Sequence, residues 1–379
     1  MQANQDFSGP LRLLITSVSS LVGQNILDAL EFRPFPRRSA VELIGISSEA
    51  RHPNNFRCDR FYHLPPIAEA EAFHARFGQI LDREQPRLVL AGRDADALVL
   101  ARLQLERPDL LSPYGSPATV QITLNKHASA RFAAEAGLAF AASHLAGPGS
   151  EPAALAAFCE QVGYPLIAKP REGYASQGVY FVRDWQDACR LQAQGEWLFQ
   201  EYLGQGRELA DYLAAFAGVP PLFLHPRLVF HHSCQTYISR RGEVGEVFVS
   251  YNRHLMGQTV EFRRVEIPEL TTLTYRSARA LATLGGRGPF NIQCRQDRSG
   301  AWKILEMNAR TNGNTSARLC WGYDELGLIL NDLLPGAGFP HLPPQPPASG
   351  TVLKLLHEGW VADAWADAAL SEGAGSGPA

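Results

Sequence analysis

The sequence lacks any long hydrophobic run and any strong excess of charge of one sign. Of its 379 residues, 45% are hydrophobic and 19% are charged, and the formal net charge is −3. No stretch approaches the roughly 20 apolar residues of a membrane-spanning helix, and no global basic field would recruit nucleic acid or anionic lipid. The polar start MQANQDFSGP is not expected to be a signal peptide. These absences favour a globular protein of two to three domains with neither nucleic-acid nor membrane partners.

Cysteine is sparse, and the glycine pattern of a dinucleotide site is missing. Six cysteines are scattered between Cys58 and Cys320 without a C-x-x-C pair, which disfavours a disulfide framework or a zinc site and suits reduced thiols. We therefore expect a cytoplasmic protein. The turn TSVSSLVG offers only Gly23 where the dinucleotide fingerprint has three glycines, so an NAD-binding role is disfavoured.

The first part of the chain has the pattern of an α/β unit. The apolar runs LRLLITSV, VELIGISS and RLVLAG predict buried parallel strands, and the segments SSLVGQNILDALEF and EAFHARFGQILDREQ between them predict helices. The segment GRDADAL then places Asp94 and Asp96 after the third strand, where α/β sheets expose ligand contacts. Acidic residues at a solvated helix N-terminus explain the segment equally well.

A lysine-bearing hairpin is predicted in the middle of the chain. The segment TLNKHASARFAAEAGLAF predicts one helix with Lys126 near its start, and YPLIAKPREGYASQGVYFV predicts a strand ending in Lys169, a polar turn and a second strand. Backbone N–H groups of such a glycine- and serine-containing turn can surround phosphate oxygens. An ordinary hairpin with a surface lysine is the alternative for this segment alone.

Polar side chains alternate along two later segments that predict paired strands. Residues two apart on a strand share a face, so Asn291 and Gln293 in GPFNIQCRQD would meet Glu306, Asn308 and Arg310 in AWKILEMNAR. Carboxylate and amide oxygens suit a hard divalent cation that bridges nucleotide phosphates. With lysines to neutralise phosphates and a hairpin to cover them, this set has the equipment for phosphoryl transfer.

In their order along the chain, these motifs resemble the ATP-grasp superfamily, in the branch similar to the large subunit of carbamoyl-phosphate synthase and the pyrrolysine-pathway ligase. The matching segments are NKHASARFAAEAGLAF, YPLIAKPREGYASQGVYFV, LFQEYLGQGRELADYL, FNIQ and ILEMNAR, and together they cover most of residues 11–335. The resemblance implies a Rossmann-like pre-ATP-grasp domain followed by a two-lobed ATP-grasp fold, an α/β and α+β protein. The implied divisions are the α/β domain 1–115, the linker helices and small lid lobe 116–196, the large lobe with the metal site 197–340, and a proline-rich segment with a last strand and flexible tail 341–379.

The resemblance also implies a role for each matching residue. Lys169 and Arg310 would be catalytic, because they would stabilise charge on the transferring phosphoryl group. The implied nucleotide contacts are Lys126 and Lys169 at the phosphates, Gly173, Ser176, Gln177 and Gly178 in the lid, Gln200, Glu201 and Leu203 at the adenine hinge, and Glu208 at the ribose. The implied ligands of two Mg²⁺ ions, with Mn²⁺ as an expected substitute, are Gln293, Glu306 and Asn308.

Beyond Arg310 the chain departs from the family pattern. The segment TNGNTS replaces the commoner aromatic and Ser/Gly run, and family members often place substrate contacts there. Asn312 and Asn314 are therefore candidate substrate residues, and the substrate is not expected to be a standard metabolite of central metabolism. Arg253 is a third candidate, although surface charge is the favoured interpretation for it. Asn125 stands where the family usually has Asp.

The implied function is that of an ATP- and Mg²⁺-dependent carboxylate–amine ligase of the amino-acid or peptide ligase type. It would act through an acyl phosphate and release ADP and phosphate. The implied partners are a small carboxylic acid, a small amine and a second copy in a homodimer. Activation of a small acid such as bicarbonate is an alternative, disfavoured because duplicated synthetase halves are lacking. A non-catalytic nucleotide-binding protein is another, disfavoured because Lys169, Glu306 and Asn308 are all present.

Overall fold

Three β-sheets organise the part of the chain that the computed structural model describes. Two of the expected nucleotide contacts, Ser176 and Glu208, lie outside this part. No helix within it is long and apolar enough to cross a bilayer. The described residues are 11–32, 37–173, 177–204, 209–222, 229–255, 258–337, 339 and 350–354.

The N-terminal unit is a parallel sheet with strand order β3-β2-β1-β4. Its strands are nearly wholly buried, which is why the sequence shows continuous apolar runs there. The predicted alternation of strands and helices is confirmed, with one added strand, RFYH, whose pattern is too short and polar to recognise. The strands are β1 (Leu11–Ile15), β2 (Val41–Ser47), β3 (Arg60–His63) and β4 (Leu88–Leu90), and the helices are α1 (Leu21–Leu30), α2 (Ala70–Glu84) and α3 (Asp94–Glu106).

Two helices, α4 (Pro117–Leu124) and α5 (Lys126–Glu135), follow this unit. The prediction of one continuous helix here is wrong, because Asn125 interrupts it. Its backbone is extended, with φ −97° and ψ 112°, and its side-chain oxygen accepts the N–H groups of His127 and Ala128. Such an N-cap ends one helix and starts the next, and it makes Lys126 the first residue of α5.

The small lobe is an antiparallel sheet with order β5-β8-β6-β7, covered by helices. The predicted hairpin is confirmed, since β6 and β7 pair antiparallel with Leu166 opposite Val182. Pairing of β6 with β8 brings Lys169 opposite Leu198. The strands are β5 (Ser143–Ala146), β6 (Leu166–Lys169), β7 (Tyr180–Val182) and β8 (Trp197–Glu201), and the helices are α6 (Pro152–Val162), α7 (Trp185–Gln194) and α8 (Ala210–Ala214).

The large lobe is an antiparallel sheet with order β13-β12-β9-β10-β11-β14. One face packs its apolar residues, such as Phe290 and Ile292, against Leu270 and Leu281 of α9, and leaves a polar face on the other side. The strands are β9 (Val229–Ile238), β10 (Phe248–Leu255), β11 (Gln258–Arg264), β12 (Gly288–Gln296), β13 (Trp302–Asn308) and β14 (Val352–Leu353), and the helices are α9 (Pro268–Thr283), α10 (Thr315–Leu319) and α11 (Glu325–Leu333).

The large lobe and the N-terminal unit share a core. Leu326 and Leu330 of α11 belong to the same buried cluster as Ile26 and Leu30 of α1. A fully buried ion pair between Arg37 and Asp324 crosses the same boundary. These contacts fix the carboxyl ends of the parallel strands next to the polar face of the large sheet, where the candidate site lies.

Candidate active site

The polar face of β12 and β13 gathers the predicted metal ligands. Gln293 lies opposite Glu306, and Asn291 lies opposite Asn308, so all four side chains share one face. This juxtaposition was predicted from the alternation of the two strands. Glu306 is partly accessible, with 22% of its side chain exposed, and its ion-pair partner is Lys126 at 3.9 Å. One carboxylate and neighbouring amide oxygens make a donor set that fits Mg²⁺; their role as ligands stays a prediction.

Lys169 joins the small lobe to this face. Its Nζ donates to Gln200 Oε1 at 2.7 Å and to the carbonyl of Leu305 at 3.1 Å. That carbonyl belongs to a β-bulge, because Gln293 pairs with Glu306 while Cys294 pairs with Ile304, and a bulged residue is left without a ladder partner. The bulge therefore turns a backbone acceptor toward the lysine.

The same lysine is poised between its charged and neutral forms. Burial lowers the pKa of Lys169 to about 7, because the charged form is desolvated; Glu306 opposes the shift and Lys126 adds to it. Only 5% of the residue is exposed. An anion placed beside Nζ would favour the charged form and restore the full positive charge.

Lys126 connects the metal-ligand face to the predicted lid. Its Nζ donates to the carbonyl of Gly173 at 3.0 Å, and its backbone N–H donates to the carbonyl of Arg171 at 2.9 Å. Gly173 and Gly178 flank the loop with φ of 148° and 67°, values that glycine adopts without steric cost. Gln177 and Gly178 are exposed, so this end of the loop is open to solvent. The structure thus places Lys126 beside the start of the loop, and the phosphate contacts expected of Lys126 and Lys169 stay a prediction.

Side chains of the predicted adenine hinge take part in contacts within the protein. Glu201 accepts from Lys303 Nζ at 2.8 and 2.9 Å and from the backbone N–H of Ala142 at 3.1 Å. Gln200 and Leu203 are buried. The side chain of Glu201 thus joins the two lobes, and its backbone N–H donates to the carbonyl of Ala142 at 2.8 Å. The nucleotide contacts expected of the hinge stay a prediction. Lys303 was not recognised in the sequence, where nothing links it to a residue a hundred positions away.

Arg310 reaches from the end of β13 to the N-terminal unit. Its Nη2 donates to Asp94 Oδ2 at 2.6 Å and lies 3.5 Å from Asn308 Oδ1, and its Nη1 donates to the carbonyl of Thr311 at 3.0 Å. Asp94 is the first residue of α3, so it is the helix-terminal acid of the two alternatives that the sequence left open. A ligand contact at this strand end stays a prediction. Asp96 is buried and accepts from Thr16 Oγ1 at 2.7 Å.

The two asparagines of TNGNTS turn inward. Asn312 donates to Gln235 Oε1 at 3.0 Å and accepts from Arg318 Nη2 at 3.0 Å. Asn314 donates to Thr259 Oγ1 at 3.2 Å. Both side chains therefore bind β9 and β11 of the sheet to the segment after Arg310. Their predicted role as substrate contacts stays a prediction, and the hydrogen bonds give them a structural role as well.

Behind these asparagines lies a buried polar network that the sequence did not indicate. Glu325 accepts from Gln235 Nε2 at 2.6 Å, from Thr315 Oγ1 at 2.7 Å and from Arg318 Nη1 at 3.1 Å. Burial raises the pKa of Glu325 and lowers that of Arg318, because each charged form is desolvated. Buried charges are tolerated when they are paired and hydrogen-bonded in this way. The network fixes the segment that follows Arg310.

Arg253 and the nearby histidines occupy the β9–β11 part of the sheet. Arg253 forms an ion pair with Glu261 on the neighbouring strand and is 33% exposed at its side chain, so its predicted substrate role stays a prediction. His231 stacks on His254 with ring centroids 4.2 Å apart. Burial lowers the pKa of His231 well below its usual value and that of His232 to about 4. The rings of His231 and His232 therefore favour the neutral form.

The architecture is that of the ATP-grasp fold: a parallel N-terminal unit, a small antiparallel lobe with a buried lysine and a large antiparallel lobe with a polar inner face. An ADP complex of N5-carboxyaminoimidazole ribonucleotide synthetase shares it with a TM-score of 0.65 and 15% identity, over 92% of this chain and 82% of that one. An L-amino acid ligase from Bacillus licheniformis shares it with a TM-score of 0.60 and 16% identity, over 86% and 75%. The biotin carboxylase domain of Hydrogenobacter thermophilus 2-oxoglutarate carboxylase does so with a TM-score of 0.59 and 13% identity, over 85% and 69%.

These likenesses confirm the fold class that the motifs predicted. No protein-family model matches the sequence, and no curated protein is significantly similar to it. At identities this low, similarity of structure establishes the fold, and function has to be argued from the site itself.

Proposed function

We propose that the chain is an ATP- and Mg²⁺-dependent ligase that joins a carboxylic acid to an amine, of the amino-acid or peptide ligase type. The observation that carries the proposal is the junction of the two lobes, where Lys169 and Lys126 lie beside Glu306 and the amides of Gln293 and Asn308. Solved structures of the same fold include an ADP complex, a complex with MgADP and bicarbonate, and an L-amino acid ligase.

In the proposed reaction the chain's own residues bind, orient and neutralise charge. Lys126 and Lys169 would contact the phosphates of ATP, and Glu306, Asn308 and Gln293 would hold the metal. When bound, Mg²⁺ would neutralise part of the phosphate charge.

Arg310 would stabilise charge on the transferring phosphoryl group, which passes to the carboxylate and gives an acyl phosphate and ADP. The amine then attacks this acyl group and phosphate leaves. The Gly173–Gly178 loop would exclude water, because an acyl phosphate is otherwise hydrolysed.

Activation of a small acid such as bicarbonate is a second candidate. The biotin carboxylase domain that shares the fold was solved with bicarbonate bound. We further propose a cytoplasmic enzyme in which two metal ions act and Mn²⁺ can replace Mg²⁺. A homodimer is part of the proposal, and that biotin carboxylase domain is itself a dimer.

The nucleotide that is released, ADP or AMP, distinguishes the proposed phosphoryl transfer from adenylation of the acid. We expect purified protein with ATP and Mg²⁺ to release ADP and phosphate when the correct acid and amine are present. A screen over pairs of acids and amines, with bicarbonate as one acid, should be read by chromatography of the nucleotides. Release of AMP and pyrophosphate across the screen would contradict the acyl-phosphate mechanism, whereas ADP release with bicarbonate alone would select the second candidate.

Nucleotide binding should take up a proton through Lys169. With a pKa of about 7 in the free protein, this amine is largely neutral at pH 8, and phosphates beside it would restore its charge. Linkage then makes MgADP affinity fall as pH rises above 7, by up to about tenfold per pH unit. Calorimetry at pH 8 in buffers of different ionisation enthalpy should detect close to one proton taken up.

Two variants test the assignment of that proton. Lys169→Met should remove the uptake. Lys354→Met is the matched control, since burial lowers the pKa of Lys354 to about 8 but this lysine bonds to Gly313 and Asn314, away from the two lysines of the site. An uptake that survives in Lys169→Met would refute the role given to Lys169.

A further inference from the structure

We infer that Asp94, in the N-terminal unit, is a positioning residue that holds the guanidinium of Arg310 away from Glu306 and so keeps Glu306 available for a divalent cation. The inference rests on the proposed function, because it assumes that Glu306 binds the metal. It assigns the N-terminal unit a part in the reaction: its carboxylate would set the charge balance of a metal site built on the large lobe.

Asp94 is held in position by the turn that precedes it. It is the first residue of α3, directly after the turn that follows β4. At Gly92 in this turn, an added Cβ would lie 2.2 Å from the carbonyl oxygen of Thr16, and the Gly92 N–H donates to Thr16 Oγ1 at 3.3 Å. The turn therefore has little room to shift. It presents Asp94 Oδ2 at 2.6 Å from Arg310 Nη2, with 22% and 11% of the two side chains exposed.

Arg310 follows the strand that carries the predicted metal ligands. Asp94 pairs with it directly, and Glu306 lies on the same face of β13 as Asn308, two residues before it. The Nη2 atom that binds Asp94 is also 3.5 Å from Asn308 Oδ1, a second predicted metal ligand. The guanidinium thus borders the metal-ligand set on one side and the N-terminal unit on the other.

Arg310 can therefore pair with one of two carboxylates, Asp94 or Glu306. A partly buried guanidinium that loses its carboxylate is left with an uncompensated charge, which is costly. The carboxylate that β13 itself carries on this face is Glu306, next to the Asn308 amide that Arg310 already approaches, so the guanidinium would turn toward it. A cation beside Glu306 repels Mg²⁺ and competes for the same oxygens. Asp94 prevents this by keeping Arg310 paired.

The test measures how MgADP binding depends on magnesium, which requires no knowledge of the acid or amine. Asp94→Asn keeps the shape of the side chain and removes its charge. Calorimetric titration of ADP at a series of Mg²⁺ concentrations should give a half-saturating Mg²⁺ about three- to tenfold higher than in wild type. Affinity at saturating Mg²⁺ should stay close to wild type. Asp94→Glu should restore the magnesium dependence in large part.

Two comparisons separate positioning from simple attachment of the domains. Asp324→Asn removes another carboxylate that crosses this boundary, at the buried pair with Arg37, and should lower the melting temperature without changing the magnesium dependence. The double variant Asp94→Asn/Arg310→Ala lacks both charges and should need no more Mg²⁺ than wild type, since the competing cation is gone. Its behaviour also decides the matter if Asp94→Asn alone does not fold.

The outcomes distinguish this inference from the proposed function. Wild-type protein that does not bind MgADP would refute the nucleotide site. Wild-type protein that binds MgADP, together with an Asp94→Asn variant of unchanged magnesium dependence, would overturn the inference alone. A raised magnesium requirement that persists in the double variant would overturn it too, because Asp94 would then act independently of Arg310.

Discussion

Replacing Glu306 with alanine is expected to lower turnover by roughly a thousandfold or more, with little effect on the fold. Glu306 is the one carboxylate in the predicted metal set, and the facing Gln293 and neighbouring Asn308 contribute only neutral oxygens. Without it, the metal loses its charged anchor on the protein. The fold should survive because the side chain is partly exposed and its ion pair with Lys126 is long, at 3.9 Å.

The experiment compares ADP release and MgADP binding in three proteins. The control is Glu243→Gln, which changes an exposed carboxylate of the same lobe and should leave both quantities near wild type. Melting temperatures of all three establish that the fold is retained. Turnover of Glu306→Ala at the wild-type rate would refute the assignment of Glu306 to the metal, and weak turnover that excess Mg²⁺ restores would support it.

The parts of the site predicted from the sequence are those that depend on local periodicity. Alternation along β12 and β13 was enough to put Gln293 and Glu306 on one face, and their direct pairing follows from the short turn between the strands. Lys169 could be placed at a strand end because an apolar run stops there. In each case the side-chain direction is set by the backbone repeat, which a sequence displays directly.

The parts that could not be predicted depend on contacts between distant segments. Lys303 binds Glu201 across 102 positions, and Gln235 binds Glu325 across 90. No repeat links such residues, and a charged residue in a strand or helix is usually a solvated one. The break at Asn125 was missed for a related reason, since helical spacing continues through it and only the side-chain cap reveals it.

The hydrogen bonds made by the segment TNGNTS affect how experiments on substrate specificity should be designed. Asn312 and Asn314 are engaged with β9 and β11, and the network around Glu325 fixes them from behind. A direct substrate contact from either residue would have to use hydrogen-bonding capacity left over from these interactions. Substitutions there would therefore be expected to change stability as well as specificity, and the two effects have to be measured together.

Replacing Arg310 with alanine should reduce kcat about a hundred- to a thousandfold while changing MgADP affinity by no more than about threefold. The guanidinium follows the predicted metal ligands along the chain and contacts Asn308 and Asp94, whereas Lys169 bonds to Gln200 and to the carbonyl of Leu305. The guanidinium would therefore act on charge that develops as the phosphoryl group moves to the acid, and an interaction made only in the transition state affects kcat and not nucleotide binding.

The control for this variant is Arg264→Ala, which removes an arginine of the same sheet whose ion pair with Glu246 is long, at 3.4 Å, and partly exposed. It should leave kcat within about twofold of wild type, as expected for a surface pair. Steady-state rates and MgADP titrations on the same preparations separate the two parameters. If Arg310→Ala weakened MgADP binding and left kcat intact, Arg310 would belong to the nucleotide site, and stabilisation of the transferring phosphoryl group would have to come from the two lysines and the metal alone.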